Sequence, residues 1–153
     1  MPSTVGVADS PAWVLDTNAV LDWLVFRDPA CASWTERMVS GSVRWLVIPA
    51  MRDELNHVLA RSAARGWNAD LRALWSAWER LSHSADLLPL AGAATRMRCT
   101  DPDDQKFIDL ALGHRARWLV TRDRAVLKLA RRARTLGLNI VTPEAVEDQF
   151  SGD

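Results

Sequence analysis

The feature that most restricts the fold is a short apolar run, Trp13-Val14-Leu15, which ends at Asp16 and passes directly into a helical pattern. Such a run before a helix is typical of a buried parallel strand. In open α/β sheets, ligands bind at the carboxyl ends of the strands. We therefore expect Asp16 to lie at a binding edge, although an Asp at this place also commonly caps the next helix.

The same alternation of strand and helix continues along the chain. Further strands are predicted over residues 44–48, 85–90, 118–121 and 138–141, and helices over residues 18–26, 28–41, 51–64, 69–81, 100–114, 126–136 and from 142 onwards. Gly66 should end the third of these helices and Asn68 should cap the fourth. Strands that alternate with helices predict an α/β fold with a central parallel sheet of about four to five strands.

One domain accounts for the 153 residues, since a chain of this length can bury a full-sized core. We expect a tail over residues 1–12, the domain over residues 13–150 and a tail over residues 151–153. Membrane-spanning and secretory patterns are absent, and the two cysteines, Cys31 and Cys99, suit a reducing compartment. A cytoplasmic protein with no membrane partner is the expectation.

The charge pattern is more informative than the net charge of zero, which argues against strong non-specific nucleic-acid binding. All of the basic residues except Lys106 and Lys128 are arginines, and many of these lie close together near the C-terminus. The clustered arginines are Arg115, Arg117, Arg122, Arg124, Arg131, Arg132 and Arg134. The planar fork of arginine matches phosphate, so this region could hold RNA. Solvated helix faces in a chain of arginine-rich composition are the alternative.

Four acidic residues are placed where this architecture could bring them together. Asp16 and Asp123 each follow a predicted strand, Glu54 borders the apolar stripe of its helix, and Asp104 opens a helix whose next apolar positions face inward. Local explanations exist as well. One alternative is that Asp104, like Asp101 and Asp103 before it, only stabilises the helix dipole, and another is that Asp123 is a turn residue.

Carboxylates gathered at one sheet edge repel each other, by on the order of 4 kcal/mol for each pair at about 4 Å. A divalent cation relieves that repulsion, and ligands that are all oxygen favour Mg²⁺ or Mn²⁺ over zinc or copper. Carboxylate-bound Mg²⁺ is common equipment for the cleavage of phosphodiester bonds. The acidic set therefore indicates a metal-dependent enzyme that acts on a phosphodiester.

The acidic residues lie in four segments: Val14-Leu-Asp-Thr-Asn18, Met51-Arg-Asp-Glu-Leu-Asn-His-Val-Leu-Ala-Arg61, Asp101-Pro-Asp-Asp-Gln-Lys-Phe-Ile-Asp-Leu-Ala111 and Leu119-Val-Thr-Arg-Asp123. In their order and spacing, these segments resemble the PIN domain, and the resemblance extends from about Trp13 to Phe150. The resemblance implies a three-layer α/β/α PIN-like domain and a metal-dependent ribonuclease.

The resemblance also implies roles for individual residues. Asp16, Glu54, Asp104 and Asp123 fall on the acidic quartet that binds the metal ion and carries catalysis, while Thr17, Asn18 and Thr121 fall on supporting positions. Relatives often carry a further acid where Ala125 stands and a glycine where Arg122 stands. These departures leave open whether one or two metal ions act. Arg122 and Arg124 are candidate contacts for RNA.

The Asp-Pro-Asp-Asp104 version of the third segment resembles bacterial toxins of type II toxin–antitoxin pairs, related to the VapC type. This implies an RNA substrate, a cognate antitoxin protein and a homodimer, with Trp75 and Trp78 as a candidate partner surface if they are not core residues. An alternative is a PIN-fold module that binds RNA or protein and has weakened catalysis, which the missing acid at Ala125 supports.

Overall fold

The structure of the chain is a computed structural model that describes residues 10–64 and 70–151, without the side chains of residues 63, 64 and 149–151. Five strands form one parallel sheet in the order β3-β2-β1-β4-β5. The strands are β1 (Ala12–Leu15), β2 (Arg44–Val47), β3 (Ser82–Ser84), β4 (Trp118–Val120) and β5 (Asn139–Val141). The predicted α/β fold with a central parallel sheet is confirmed.

Helices flank the sheet. The α-helices are α1 (Thr17–Leu24), α2 (Trp34–Val39), α3 (Pro49–Ala64), α4 (Leu71–Leu81), α5 (Gln105–Gly113), α6 (Arg124–Leu127), α7 (Ala130–Arg134) and α8 (Pro143–Ser151), and short 3₁₀ turns cover Pro29–Cys31, Gly92–Arg96 and Pro102–Asp104. In the described part of the chain, no helix combines the length and apolar character that crossing a bilayer requires.

Tryptophans from different elements pack edge to face in the core. The rings of Trp13 on β1 and Trp34 on α2 lie 5.4 Å apart, and the ring of Trp45 on β2 lies 5.2 Å from Trp23 and 4.9 Å from Trp78. Edge-to-face pairs are favourable beyond the area that they bury. Their packing ties α1, α2 and α4 to β1 and β2.

The two tryptophans of α4, Trp75 and Trp78, differ in burial. Trp78 is buried, while Trp75 is half-buried with the Arg52 guanidinium 4.7 Å from its ring. Trp78 is therefore a core residue.

The third strand lies earlier than predicted, and the assignment of residues 85–90 as a strand was wrong. The chain pairs with β2 as soon as α4 ends, with Trp45 opposite Ser82 and Val47 opposite Ser84. Beyond that point the Ala85 amide still donates to the Val47 carbonyl at 2.9 Å, but residues 86–90 are not assigned to a strand. This edge strand is polar and short, as edge strands often are, so an apolar pattern could not reveal it.

Several helix boundaries also differ from prediction. The expected helix over residues 126–136 is divided into α6 and α7, and the one over residues 28–41 begins as a 3₁₀ turn, as does the one over residues 100–114. The helix predicted from residue 51 begins two residues earlier, at Pro49. Proline suits these starting positions because the first helical residues need no N–H donor. Gly66 and Asn68 lie outside the described residues, and Asp70 accepts from the Ala73 amide at 3.0 Å to cap α4.

Adjacency of β1 and β4 positions the site. The Asp16 amide donates to the Val120 carbonyl at 3.1 Å, so the carboxyl ends of β1 and β4 are joined where each chain segment leaves the sheet. The residues that follow both strands are consequently neighbours in space.

Candidate active site

Asp16 lies at the carboxyl end of β1 and is almost completely buried, with 4% of its surface exposed. Its Oδ1 accepts from the Ala19 amide at 2.8 Å, and its Oδ2 accepts from the Thr121 hydroxyl. Asp16 therefore caps α1 and also occupies the sheet edge. Burial raises its pKa to about 6, opposed by these hydrogen bonds and assisted by the charges of Asp123 and Glu54.

Thr121 connects the residues at the ends of β1 and β4. The side chain is fully buried, and its hydroxyl donates to Asp16 while it accepts from the Asp123 amide at 2.9 Å. One hydroxyl thus holds both acidic positions in a fixed relation.

A cluster of carboxylates lies beside Asp16. One oxygen from each of Asp101, Asp104 and Asp123 lies within 4.8 Å of the others, and we call these residues the acidic triad. Oδ2 of Asp104 is buried and has no hydrogen-bond partner among the residues that the structure describes. A buried acceptor without a donor is costly, which indicates that a proton or a cation belongs there.

The electrostatics of Asp104 agree with this geometry. Burial raises its pKa to about 7, and the facing Asp123 carboxylate adds to the rise, as do the charges of Asp101 and Asp16. Near neutral pH, Asp104 is therefore only partly ionised unless a cation lies beside it.

Asp101 was not among the predicted site residues, because interaction with the helix dipole was the favoured explanation for this acid, though not for Asp104. Asp101 and Asp104 are three residues apart across a 3₁₀ turn, a spacing at which side chains eclipse. The Asp-Pro start followed by an acid three residues after the first Asp was the available signal.

Glu54 reaches the same edge from α3, but its carboxylate is engaged. Oε1 lies 2.7 Å from the Lys106 ammonium, and Oε2 accepts from the Thr17 hydroxyl. Lys106 is a further residue that the sequence interpretation missed, and its position two residues after Asp104 was the only signal. Asn18, the other supporting residue predicted next to Asp16, is exposed.

The two arginines predicted to contact RNA differ in their surroundings. Arg122 binds three carboxylates, with distances of 2.8 Å to Asp22, 3.1 Å to Asp28 and 2.7 Å to Glu144. Arg124 is exposed at the start of α6. Contact with RNA stays a prediction for both.

Comparison with known protein families supports this geometry. A family model described as the PIN domain matches residues 12–125, a range that includes Asp16, Glu54 and the whole acidic triad. Comparisons with curated proteins and with solved structures gave no significant match. The match covers most of the chain and agrees with the parallel sheet and its acidic edge, so the chain belongs to the PIN-domain family.

Proposed function

We propose that the chain is a metal-dependent endoribonuclease that hydrolyses RNA phosphodiester bonds with Mg²⁺ or Mn²⁺. The PIN domain is generally a metal-dependent nuclease fold, and this chain has an acidic cluster at the expected edge. The observation that carries the proposal is the buried Oδ2 of Asp104, which faces two further carboxylates without a donor.

The donor set fits a hard divalent ion. The acidic triad offers oxygen ligands alone, which favours Mg²⁺ or Mn²⁺ over softer metals. Asp101, Asp104 and Asp123 would hold the ion, with Asp16 fixed next to them by Thr121. Such an ion, when bound, polarises a phosphate oxygen and lowers the pKa of the attacking water.

The protein itself supplies preorganisation. Oδ1 of Asp16 and Oδ1 of Asp123 each accept a hydrogen bond from a backbone amide in the first turn of the following helix, with an N–O distance of 2.8 Å in both cases. Thr121 couples the two residues, so their carboxylates need little rearrangement before reaction. A site whose charged groups are held in place in this way suits the stabilisation of a transition state at phosphorus.

The test is cleavage of a labelled single-stranded RNA of mixed sequence by EDTA-treated protein, with and without Mn²⁺. We expect cleavage only with metal, and its loss in Asp104→Asn and in Asp16→Asn. Asp53→Asn is the matched control, because Asp53 is exposed on α3 next to Glu54. Equal rates for wild type and Asp104→Asn would contradict the proposal. Folded wild type that binds Mn²⁺ and RNA but cleaves no RNA would favour the non-catalytic binding module instead.

We further propose that this nuclease is the toxin of a type II toxin–antitoxin pair, that it binds a cognate antitoxin protein and that it forms a homodimer. Support comes from the resemblance of the Asp101–Asp104 segment to toxins related to the VapC type. Induced expression in a bacterial host should stop growth with wild type and not with Asp104→Asn. Normal growth with soluble, active wild type would contradict the toxin role.

A further inference from the structure

The Glu54 carboxylate already has a cation opposite it. The Lys106 ammonium lies 2.7 Å from Oε1, and the Thr17 hydroxyl donates to Oε2. Both oxygens of Glu54 therefore have partners within the protein. Asp104 differs, since its buried Oδ2 has none among the described residues.

Lys106 is held in this position by its own helix turn. Its ammonium also donates to the Asp103 carbonyl and lies 4.7 Å from the centre of the Phe107 ring. The side chain is 18% exposed and that of Glu54 is 28% exposed, so the pair is partly shielded from water. A metal ion that used Glu54 as a ligand would have to displace an anchored, partly desolvated ammonium.

The cluster with metal-ligand geometry excludes Glu54. In the described part of the chain, the acids whose ligand atoms converge are Asp101, Asp104 and Asp123, and Ala125 contributes no carboxylate nearby. Among the described residues, the acidic triad makes no ion pair with a basic side chain, whereas Glu54 makes one with Lys106.

We propose that the site binds one divalent ion, at the acidic triad, and that the Lys106 ammonium takes the place of a second ion and contacts the phosphate of the RNA. The inference rests on the proposed nuclease function. Two of the three ammonium N–H groups are used by Glu54 and Asp103, which leaves one for a phosphate oxygen. An ammonium is a point charge that binds phosphate and stabilises negative charge as it develops there.

The first experiment counts Mn²⁺ ions by isothermal titration calorimetry on the EDTA-treated full chain. We expect one ion for wild type, its loss in Asp104→Asn, and one ion in Glu54→Gln with a Kd within about threefold of wild type. Two ions in wild type, or loss of binding in Glu54→Gln equal to that in Asp104→Asn, would overturn the proposal. This result does not depend on whether RNA is cleaved, so it separates failure of this inference from failure of the nuclease function.

The second experiment compares Lys106→Met with Lys128→Met, which alters the only other lysine of the chain, an exposed one at the end of α6. Lys106→Met should keep the Mn²⁺ ion, reduce RNA cleavage by about 10²- to 10³-fold, and weaken binding of RNA measured by fluorescence anisotropy in Ca²⁺. Lys128→Met should behave as wild type. Wild-type cleavage and RNA affinity in a folded Lys106→Met protein would refute the role of Lys106, and the anisotropy decides that role even if no RNA is cleaved.

Discussion

The Thr121 hydroxyl donates a hydrogen bond to Oδ2 of Asp16, although 105 residues separate the two in the chain. This bond crosses from the end of β4 to the end of β1, and the same hydroxyl accepts from the Asp123 amide. Because Thr121 and Asp16 are both buried, water cannot replace the bond if it is lost. The position of the Asp16 carboxylate therefore depends on Thr121.

Replacement of Thr121 by valine, which has nearly the same shape, should leave Oδ2 of Asp16 without its donor. We expect a loss of about 1–3 kcal/mol in the free energy of unfolding, the usual cost of an unsatisfied buried group. The pKa of Asp16 should also rise, since the hydrogen bond lowers it. Urea denaturation measures the first effect, with Thr135→Val on the exposed end of α7 as the control. Equal losses of unfolding free energy in Thr121→Val and Thr135→Val would contradict a stabilising role for the Thr121–Asp16 hydrogen bond.

Metal-free protein should lose stability as the pH rises from about 4 to about 7. Asp16 and Asp104 have pKa values raised from 3.8 to about 6 and about 7, so the folded state binds more protons than the unfolded state in this range. Their favourable contribution is therefore complete below pH 4 and disappears as the pH passes the folded pKa values.

The matched comparison for this pH effect is Asp104→Asn. Each pKa unit corresponds to about 1.4 kcal/mol, and the partial exposure of Asp104 reduces its contribution. Between acidic and neutral pH, the free energy of unfolding of wild type should therefore fall by on the order of 2 kcal/mol more than that of the variant. Urea denaturation in EDTA at pH 4.5 and pH 7.5 measures the difference. Parallel pH profiles for the two proteins would contradict the raised pKa of Asp104.

Mn²⁺ should stabilise the folded protein at neutral pH. A ligand that binds the folded state alone adds about 2.7 kcal/mol at 100 times its Kd, and relief of repulsion within the acidic triad provides the physical basis. Thermal melts with Mn²⁺ and with EDTA measure the shift in Tm. The shift should vanish in Asp104→Asn and persist in Asp53→Asn. A shift of the same size in Asp104→Asn would place the ion elsewhere.

Arg122 should matter more for stability than Arg124. Arg122→Ala would leave Asp22, Asp28 and Glu144 without their shared cation, at a cost of about 1–2 kcal/mol for three partly exposed pairs, decreasing at high salt. Arg124→Ala should leave stability unchanged and weaken RNA binding. Denaturation at low and high salt, with RNA anisotropy on both variants, measures these effects. Unchanged RNA affinity in Arg124→Ala would show that Arg124 does not contact RNA.

Much of the fold could be predicted because the relevant signals are local. The apolar runs before Asp16 and at residues 118–120 identified β1 and β4, since a buried strand shows its apolar pattern in its own residues. The edge strand β3 could not be predicted in this way. Its residues are polar, and only pairing with β2 makes them a strand.

The candidate site shows the same division. By itself, the sequence determined that Asp16 and Asp123 follow strands and that Asp104 opens a helix, because apolar periodicity and capping preferences act over a few residues. Only the tertiary structure decided that Asp101 joins Asp104 and Asp123, and that Lys106 rather than another acid faces Glu54. Distances of a few ångströms between side chains depend on strand order, on the 3₁₀ turn before α5 and on the approach of α3, none of which a local pattern encodes.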